Sequence, residues 1–234
     1  EALSTSAGRT VRISRPQRGP RTKLTAMARR NAEEALARNL ADTSSQRRLL
    51  AELGDLFGMD APPERVEVYD NSHIQGRHAV GGMIVAGPDG FNKAAYRKFN
   101  MREDGPHAVT QGDDFAMMRQ VIHRRFERVL KEDPDRNGET WPDLLLIDGG
   151  KAHLSAVAEV MDDLGVADIA VVAISKGPDR NAGREQFHMR GCASFTLSPQ
   201  ASAMHFLQRL RDEAHRYAIG THRARRQKSE LTSP

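Results

Sequence analysis

The sequence predicts an α/β protein: a mixed β-sheet with helices on both faces, preceded by a basic lead-in and a small helical segment. Three observations carry that prediction. The runs Val66-Glu67-Val68-Tyr69 and Leu144-Leu145-Leu146-Ile147 are short, apolar or β-branched, and have the length of strands rather than helices. Each runs straight into a carboxylate, Asp70 and Asp148. Three early strand-like runs then give way to alternating helix and strand patterns, which is the order of a mixed sheet covered on both sides.

The elements follow in order. Residues 1–23 form a basic lead-in containing Pro and Gly, with a short strand expected at Thr10–Ser14. From Leu24 to Phe57 helix formers carry apolar residues at Leu36, Leu40, Leu49, Leu50, Leu53 and Leu56. Asp42-Thr43-Ser44 interrupts them, so two helices are predicted, closed off by Pro62-Pro63. Strands are expected at 66–69, 80–86 and 95–101, followed by a helix at 113–131 whose first turn is capped by Asp113 and Asp114. A strand at 144–147, a helix at 152–164 and a strand at 169–174 come next. The charged, glycine-containing stretch Gly177 to Gly191 predicts a loop and a hairpin ending near Thr196. A closing helix starts around Gln200, its buried stripe marked by Phe206, Leu207, Leu210, Ala214 and Ala218. The domain reading is a lead-in at 1–23, a helical segment at 24–62, the α/β domain at 63–228 and a tail at 229–234. No internal repeat is apparent.

Two strands of one sheet that each deliver an acid at the same edge would set Asp70 beside Asp148. Like charges that close repel unless something neutralises them. The usual neutraliser is a divalent cation with hard oxygen ligands, Mg²⁺ or Mn²⁺. Gly149-Gly150 would let the backbone turn sharply after Asp148 and leave room for a large substrate. Lys151 could then reach a phosphate, although the triplet Gly-Gly-Lys is not a nucleotide-binding loop, since position 145 is Leu and position 152 is Ala. Ser72 and His73 could orient Asp70 from behind. Cys192 stands alone, without a His or Cys cluster, so a zinc site is not predicted.

Charge and composition narrow the classes further. The chain has 234 residues, a net charge of +4 and an isoelectric point near 9.5. From Arg9 through Arg30 there are eight Lys and Arg residues and no acid, and from Arg216 through Lys228 five more and no acid. Arg15, Arg18 and Arg21 in the first block, with Arg223, Arg225 and Arg226 in the second, are candidates for nucleic-acid phosphates. Solvated basic tails are the competing reading. Aromatic residues make up 5%, which argues against a stacking platform for single-stranded bases. A single cysteine excludes a disulfide framework and fits a reducing cytoplasm. No apolar run has membrane-spanning length and no secretory signal is present, so no membrane partner is expected. The chain opens on Glu1 in mid-pattern and is expected to be part of something longer. No pattern sets an oligomeric state.

An ordered set of motifs then carries a resemblance. Tyr69-Asp70-Asn71-Ser72-His73, Gly81-Gly82-Met83, Tyr96-Arg97-Lys98-Phe99, Asp113-Asp114-Phe115-Ala116-Met117-Met118-Arg119, Ile147-Asp148-Gly149-Gly150-Lys151 and Arg211-Asp212-Glu213-Ala214-His215-Arg216-Tyr217-Ala218 occur in that sequence. Pro16-Gln17-Arg18-Gly19 precedes them. From about Val11 to Lys228 the chain resembles the C-terminal half of the UvrC family, the bacterial nucleotide excision repair endonuclease subunits. The resemblance implies an RNase H-like endonuclease domain acting in DNA repair and the SOS response, in the bacterial cytoplasm. It implies incision of double-stranded DNA on the 5′ side of a lesion, on a complex of UvrB with that DNA. It also implies a catalytic set of Asp70, Asp148 and His215, with Mg²⁺ or Mn²⁺ as cofactor. Arg211 and Arg216, which flank His215, are candidates to orient that set or to contact phosphate.

By pattern alone His215 is a residue at the edge of a packed helix stripe, and whether it serves as a metal ligand or as a general acid or base stays open. Two other readings remain: a catalytically silent DNA-binding or docking module, and an RNase H-like nuclease acting on RNA. The first predicts loss of one of the three residues, and none is lost. The second would turn on contacts to the 2′-hydroxyl. The family's 3′-nicking module, its UvrB-docking segment and its helix-hairpin-helix domain have no counterpart in this sequence. The isolated chain is therefore expected to cut poorly.

Overall fold

The computed structural model describes residues 5, 8–11, 16, 19, 21–74, 77–102, 104, 108–110, 113–177 and 185–230, with the backbone alone at 38–39, 73–74, 77–79 and 221–230. The elements are α1 (Arg21–Leu56), β1 (Val66–Ile74), β2 (Arg77–Gly87), β3 (Gly90–Phe91), a 3₁₀ turn at Lys93–Ala95, β4 (Arg97–Asn100), α2 (Asp114–Glu132), β5 (Leu144–Asp148), α3 (Lys151–Asp163), β6 (Ala170–Ser175), β7 (Gln186–Met189), β8 (Phe195–Thr196) and α4 (Ser202–Glu230). The strands form one mixed sheet in the order β3-β2-β1-β5-β6-β7-β8, with β4 also pairing with β2. β5 lies between β1 and β6 and is parallel to both, while the outer pairings are antiparallel. The expected mixed sheet between helices is the observed fold.

Alternation along the central strands builds two cores. Val66 and Val68 share one face with Leu144, Leu146, Val172 and Ile174, covered by Phe206, Leu207, Leu210 and Ala214 of α4 and by Leu50 and Leu53 of α1. Tyr69, Leu145, Ile147 and Ala173 share the other, under Val121, Ile122 and Phe126 of α2 and Leu154, Val157 and Met161 of α3. Burial of each such large side chain contributes about 1.5–3 kcal/mol. With both faces covered, β5 shows the near-continuous apolar run of a doubly buried parallel strand. Gly82 of β2 lies directly under α4, where an added Cβ would meet Ala218 Cβ at 3.0 Å, so a hydrogen is what lets the helix approach.

Several sequence expectations change. The two predicted helices of 24–57 are one, because Asp42-Thr43-Ser44 are mediocre helix formers and no Pro or Gly interrupts residues 21–53. Residues 1–44 form one compact unit and 45–234 another. In the first, Leu24, Met27, Leu36 and Leu40 are exposed and Arg29 pairs with Glu33 at 2.7 Å. Thr10 and Val11 are in no strand, and the rest of the strand expected at Thr10–Ser14 lies outside the described residues. The predicted strand 95–101 shrinks to β4, its start taken by the 3₁₀ turn. β1 does not end at Asp70: it runs on to Ile74, held by antiparallel pairing of Asp70, Asn71 and Ser72 with Gly82, Gly81 and Val80. The hairpin near Thr196 is β7–β8. No helix among the described residues is long and apolar enough to cross a membrane.

Candidate active site

Parallel register sets Tyr69 of β1 beside Ile147 of β5, and the next residue on each strand is an aspartate. Beyond that pair β5 ends and β1 continues alone with β2. Asp70 is thus held within a paired strand, while Asp148 stands at a strand tip. Asp70 is 5% exposed, whereas the Asp148 side chain keeps about a third of its surface in solvent. After Asp148 the chain turns through Gly149, whose φ of +153° and close approach to the His153 ring admit no side chain. The Gly149 amide donates to the Ile174 carbonyl of β6 at 2.9 Å, which ties the turn to the sheet.

Helix α4 crosses over these strands and brings an imidazole and a guanidinium to the acids. The His215 Nδ1–H donates to Asp70 Oδ2 at 2.8 Å. One turn earlier, Arg211 Nε donates to Asp148 Oδ1 at 3.1 Å. The apolar stripe of Phe206, Leu207, Leu210, Ala214 and Ala218 faces the sheet core. That seating places Arg211 and His215, four residues apart, at its edge. Burial pushes the Asp70 carboxyl above the usual carboxylate value, and the nearby Asp148 charge pushes it further up. The hydrogen bond from His215 and the Arg211 guanidinium act in the opposite sense.

The structure therefore brings Asp70, Asp148, His215 and Arg211 together. Ser72 is half-buried two residues along β1, on the Asp70 side of the strand; His73 is described by its backbone alone. Lys151 is exposed at the start of α3, directly after Gly150. Arg216 is bound elsewhere: its Nε and Nη2 donate to Glu213 at 2.6 and 2.7 Å. Arg21 is exposed at the start of α1. Arg223, Arg225 and Arg226 are described by backbone on α4, and Arg15 and Arg18 lie outside the described residues. Asp113 caps α2, accepting from the Ala116 amide at 2.8 Å.

Sequence reasoning missed Glu185, Gln208 and His153. Glu185 is 5% exposed and accepts from Arg211 Nη1 at 3.3 Å and Gln208 Nε2 at 3.2 Å. The His153 ring packs on Phe115 with centroids 4.5 Å apart. Burial lowers its pKa, against the charges of Asp114 and Asp148. Among the described residues no three His, Cys, Asp or Glu side chains are grouped to hold a metal ion. The donors that could do so are the facing carboxylates of Asp70 and Asp148, hard oxygens suited to a divalent cation.

A mixed sheet with acids on adjacent parallel strands, and a basic helix laid over them, defines an RNase H-like α/β domain. The chain belongs to the UvrC family: residues 54–219 match the family described as UvrC RNAse H endonuclease domain, and residues 1–39 match UvrC Ribonuclease H-like domain. It is 57% identical to the UvrABC system protein C of Ruegeria sp. (strain TM1040) and 56% identical to that of Paramagnetospirillum magneticum (strain ATCC 700264 / AMB-1). Those alignments take in the whole chain but only 36% and 37% of the relatives, so the chain spans about a third of their length. It is also similar to the catalytic domain of human Endonuclease V, with 16% identity, a TM-score of 0.37, and coverage of 62% of this chain and 59% of that one.

Proposed function

We propose that this chain is the metal-dependent endonuclease domain of a UvrC protein, and that it cuts the damaged DNA strand on the 5′ side of a lesion in a complex with UvrB. The observation that carries the proposal is the juxtaposed pair Asp70 and Asp148, one buried and one at the rim, with Asp70 held above its usual pKa by burial and by its neighbour's charge. Such a pair favours any ligand that adds positive charge between the acids. The donor set fits Mg²⁺ or Mn²⁺, with Asp70 and Asp148 as the residues that would hold it. A divalent cation there supplies Lewis acidity toward the phosphate and eases deprotonation of an attacking water.

The protein's own side chains do the rest. The β1–β5 register fixes the spacing of the two carboxylates. His215 orients Asp70 through Nδ1, and its side chain is 64% exposed, which leaves Nε2 as the atom that exchanges a proton with bound substrate. The glycine turn at 149–150 lets the chain leave Asp148 sharply while the His153 ring packs against it. The basic residues of the terminal segments supply phosphate contacts that position the duplex.

The test is incision of a lesion-bearing duplex preloaded with UvrB, by the full-length parent protein with Mg²⁺, beside its Asp148→Asn variant. Cuts on the two sides of the lesion are scored separately. Loss of the 5′ cut alone is expected. Survival of both cuts would make Asp148 a turn residue and overturn the assignment.

A further inference from the structure

The Arg211 guanidinium serves two carboxylates from different elements. Its Nε donates to Asp148 Oδ1 at 3.1 Å and its Nη1 to Glu185 Oε1 at 3.3 Å. The Glu185 side chain is 6% exposed and that of Arg211 15%, so water screens neither effectively. Gln208, one turn earlier on α4, donates to the same Glu185 oxygen at 3.2 Å and fixes it in place. Asp148 is the solvent-side partner and Glu185 the inner one. A guanidinium cannot lose its charge, so whatever it touches keeps a competitor for any other cation.

We infer that Glu185 is a positioning residue that holds Arg211 inward and so keeps Asp148 available to a divalent cation. This rests on the metal-dependent reading above. Arg211 occupies Asp148 as a stand-in cation, and Glu185 supplies the anion that shares it. Take away the Glu185 charge and Arg211 becomes the undivided partner of Asp148, so a divalent ion must displace a tighter pair in a less negative site. Take away Arg211 and the competitor is gone. The two substitutions therefore move metal affinity in opposite directions, whereas a merely structural ion pair would give both variants the same behaviour.

The experiment is a Mn²⁺ titration of this 234-residue chain without DNA, read by the electron paramagnetic resonance of the free ion. Folding of each variant is checked by circular dichroism. Glu185→Gln is expected to weaken Mn²⁺ binding about tenfold or more, the range seen when partners behind a ligand are removed. Arg211→Gln is expected to tighten it, and the double variant to bind like Arg211→Gln, because Glu185 acts through Arg211. A double variant that returns to the wild-type value would make Glu185 a through-space charge and overturn its positioning role. If the wild type binds no Mn²⁺, the metal-dependent reading falls and the inference with it. If the wild type binds but the two single variants shift the same way, or neither shifts, the inference alone is overturned. Should Glu185→Gln unfold the chain, Glu185→Asp carries the test. It keeps the charge but withdraws it from the guanidinium; weaker binding is expected and unchanged binding overturns the inference.

Discussion

Strand β1 buries two carboxylates three residues apart, and they are treated in opposite ways. Glu67 has no exposed surface. Its Oε1 accepts from Arg65 Nη2 at 2.8 Å and Arg125 Nη2 at 2.7 Å, and its Oε2 from the Tyr69 hydroxyl at 2.5 Å and Arg125 Nε at 3.1 Å. Two permanent cations and a hydroxyl surround one negative charge. Asp70 is almost as deeply buried, but it faces one imidazole and a second carboxylate, Asp148. A charge compensated from within belongs to the fold. A charge that shares one imidazole and one guanidinium with a second acid is only partly compensated, and that difference fits the cation site proposed for Asp70 and Asp148.

The largest effect is expected where compensation is complete. Glu67→Gln removes the anion and leaves Arg65 and Arg125 facing each other under α2, so it should cost about 3–5 kcal/mol of stability, the range for breaking a buried pair from one side. Urea unfolding of the chain measures it. A loss within the ±0.5 kcal/mol of an ordinary surface change would show that water reaches the cluster and would erase the contrast with Asp70. Tyr69→Phe should cost less, about 1.5–3 kcal/mol, since one charge-assisted hydrogen bond goes while both guanidinium contacts stay. Burial first and the Glu67 charge second push the Tyr69 hydroxyl well above its ordinary pKa, so it remains a donor at any working pH.

Which of these acids was legible in the sequence follows from the physics of each. Asp70 and Asp148 stand out because an apolar run that stops on an acid is an uneven pattern, and because adjacent parallel strands put such stops together. Even so, the strand containing Asp70 runs on through Asn71 and Ser72, poor strand formers by composition, because β2 offers them an antiparallel partner. Glu67 reads as the solvent-facing member of an alternating strand. Its burial depends on Arg125, 58 residues away on α2, and no local pattern reports that. Glu185 is harder still, an acid in a charged glycine-containing loop with no periodicity, given its meaning by Arg211 and Gln208 on a helix that forms later in the chain. By pattern alone His215 is an edge residue of the α4 stripe and only the family resemblance singles it out; its contact with Asp70 is a matter of how that helix crosses the sheet. The unbroken α1 shows the converse: Asp-Thr-Ser suggests a break, but without Pro or Gly the cost of continuing is a few tenths of a kcal/mol per residue.

The smallest effect on stability, and the sharpest test of the contrast, is at Asp70 itself. Its pKa in the folded chain lies above the usual 3.8, so the folded state holds a proton that the unfolded state releases. Stability of the metal-free chain from this group is therefore greatest below the unfolded value and falls as pH rises through the window up to the folded value, after which the loss is constant. Asp70→Asn removes the penalty. The variant is expected to be as stable as the wild type or more so at pH 7 without metal, and to lose the fall in stability across that window. On the metal-dependent reading proposed above, the same variant of the full-length protein should lose the 5′ cut by at least about a hundredfold, because a divalent cation held there would lower the barrier by several kcal/mol and each 1.36 kcal/mol is tenfold. Urea midpoints between pH 4 and 7, read with and without Mg²⁺, decide the matter. A destabilised Asp70→Asn with an unchanged pH profile would mean that Asp70 is compensated as fully as Glu67 and would erase the contrast between them.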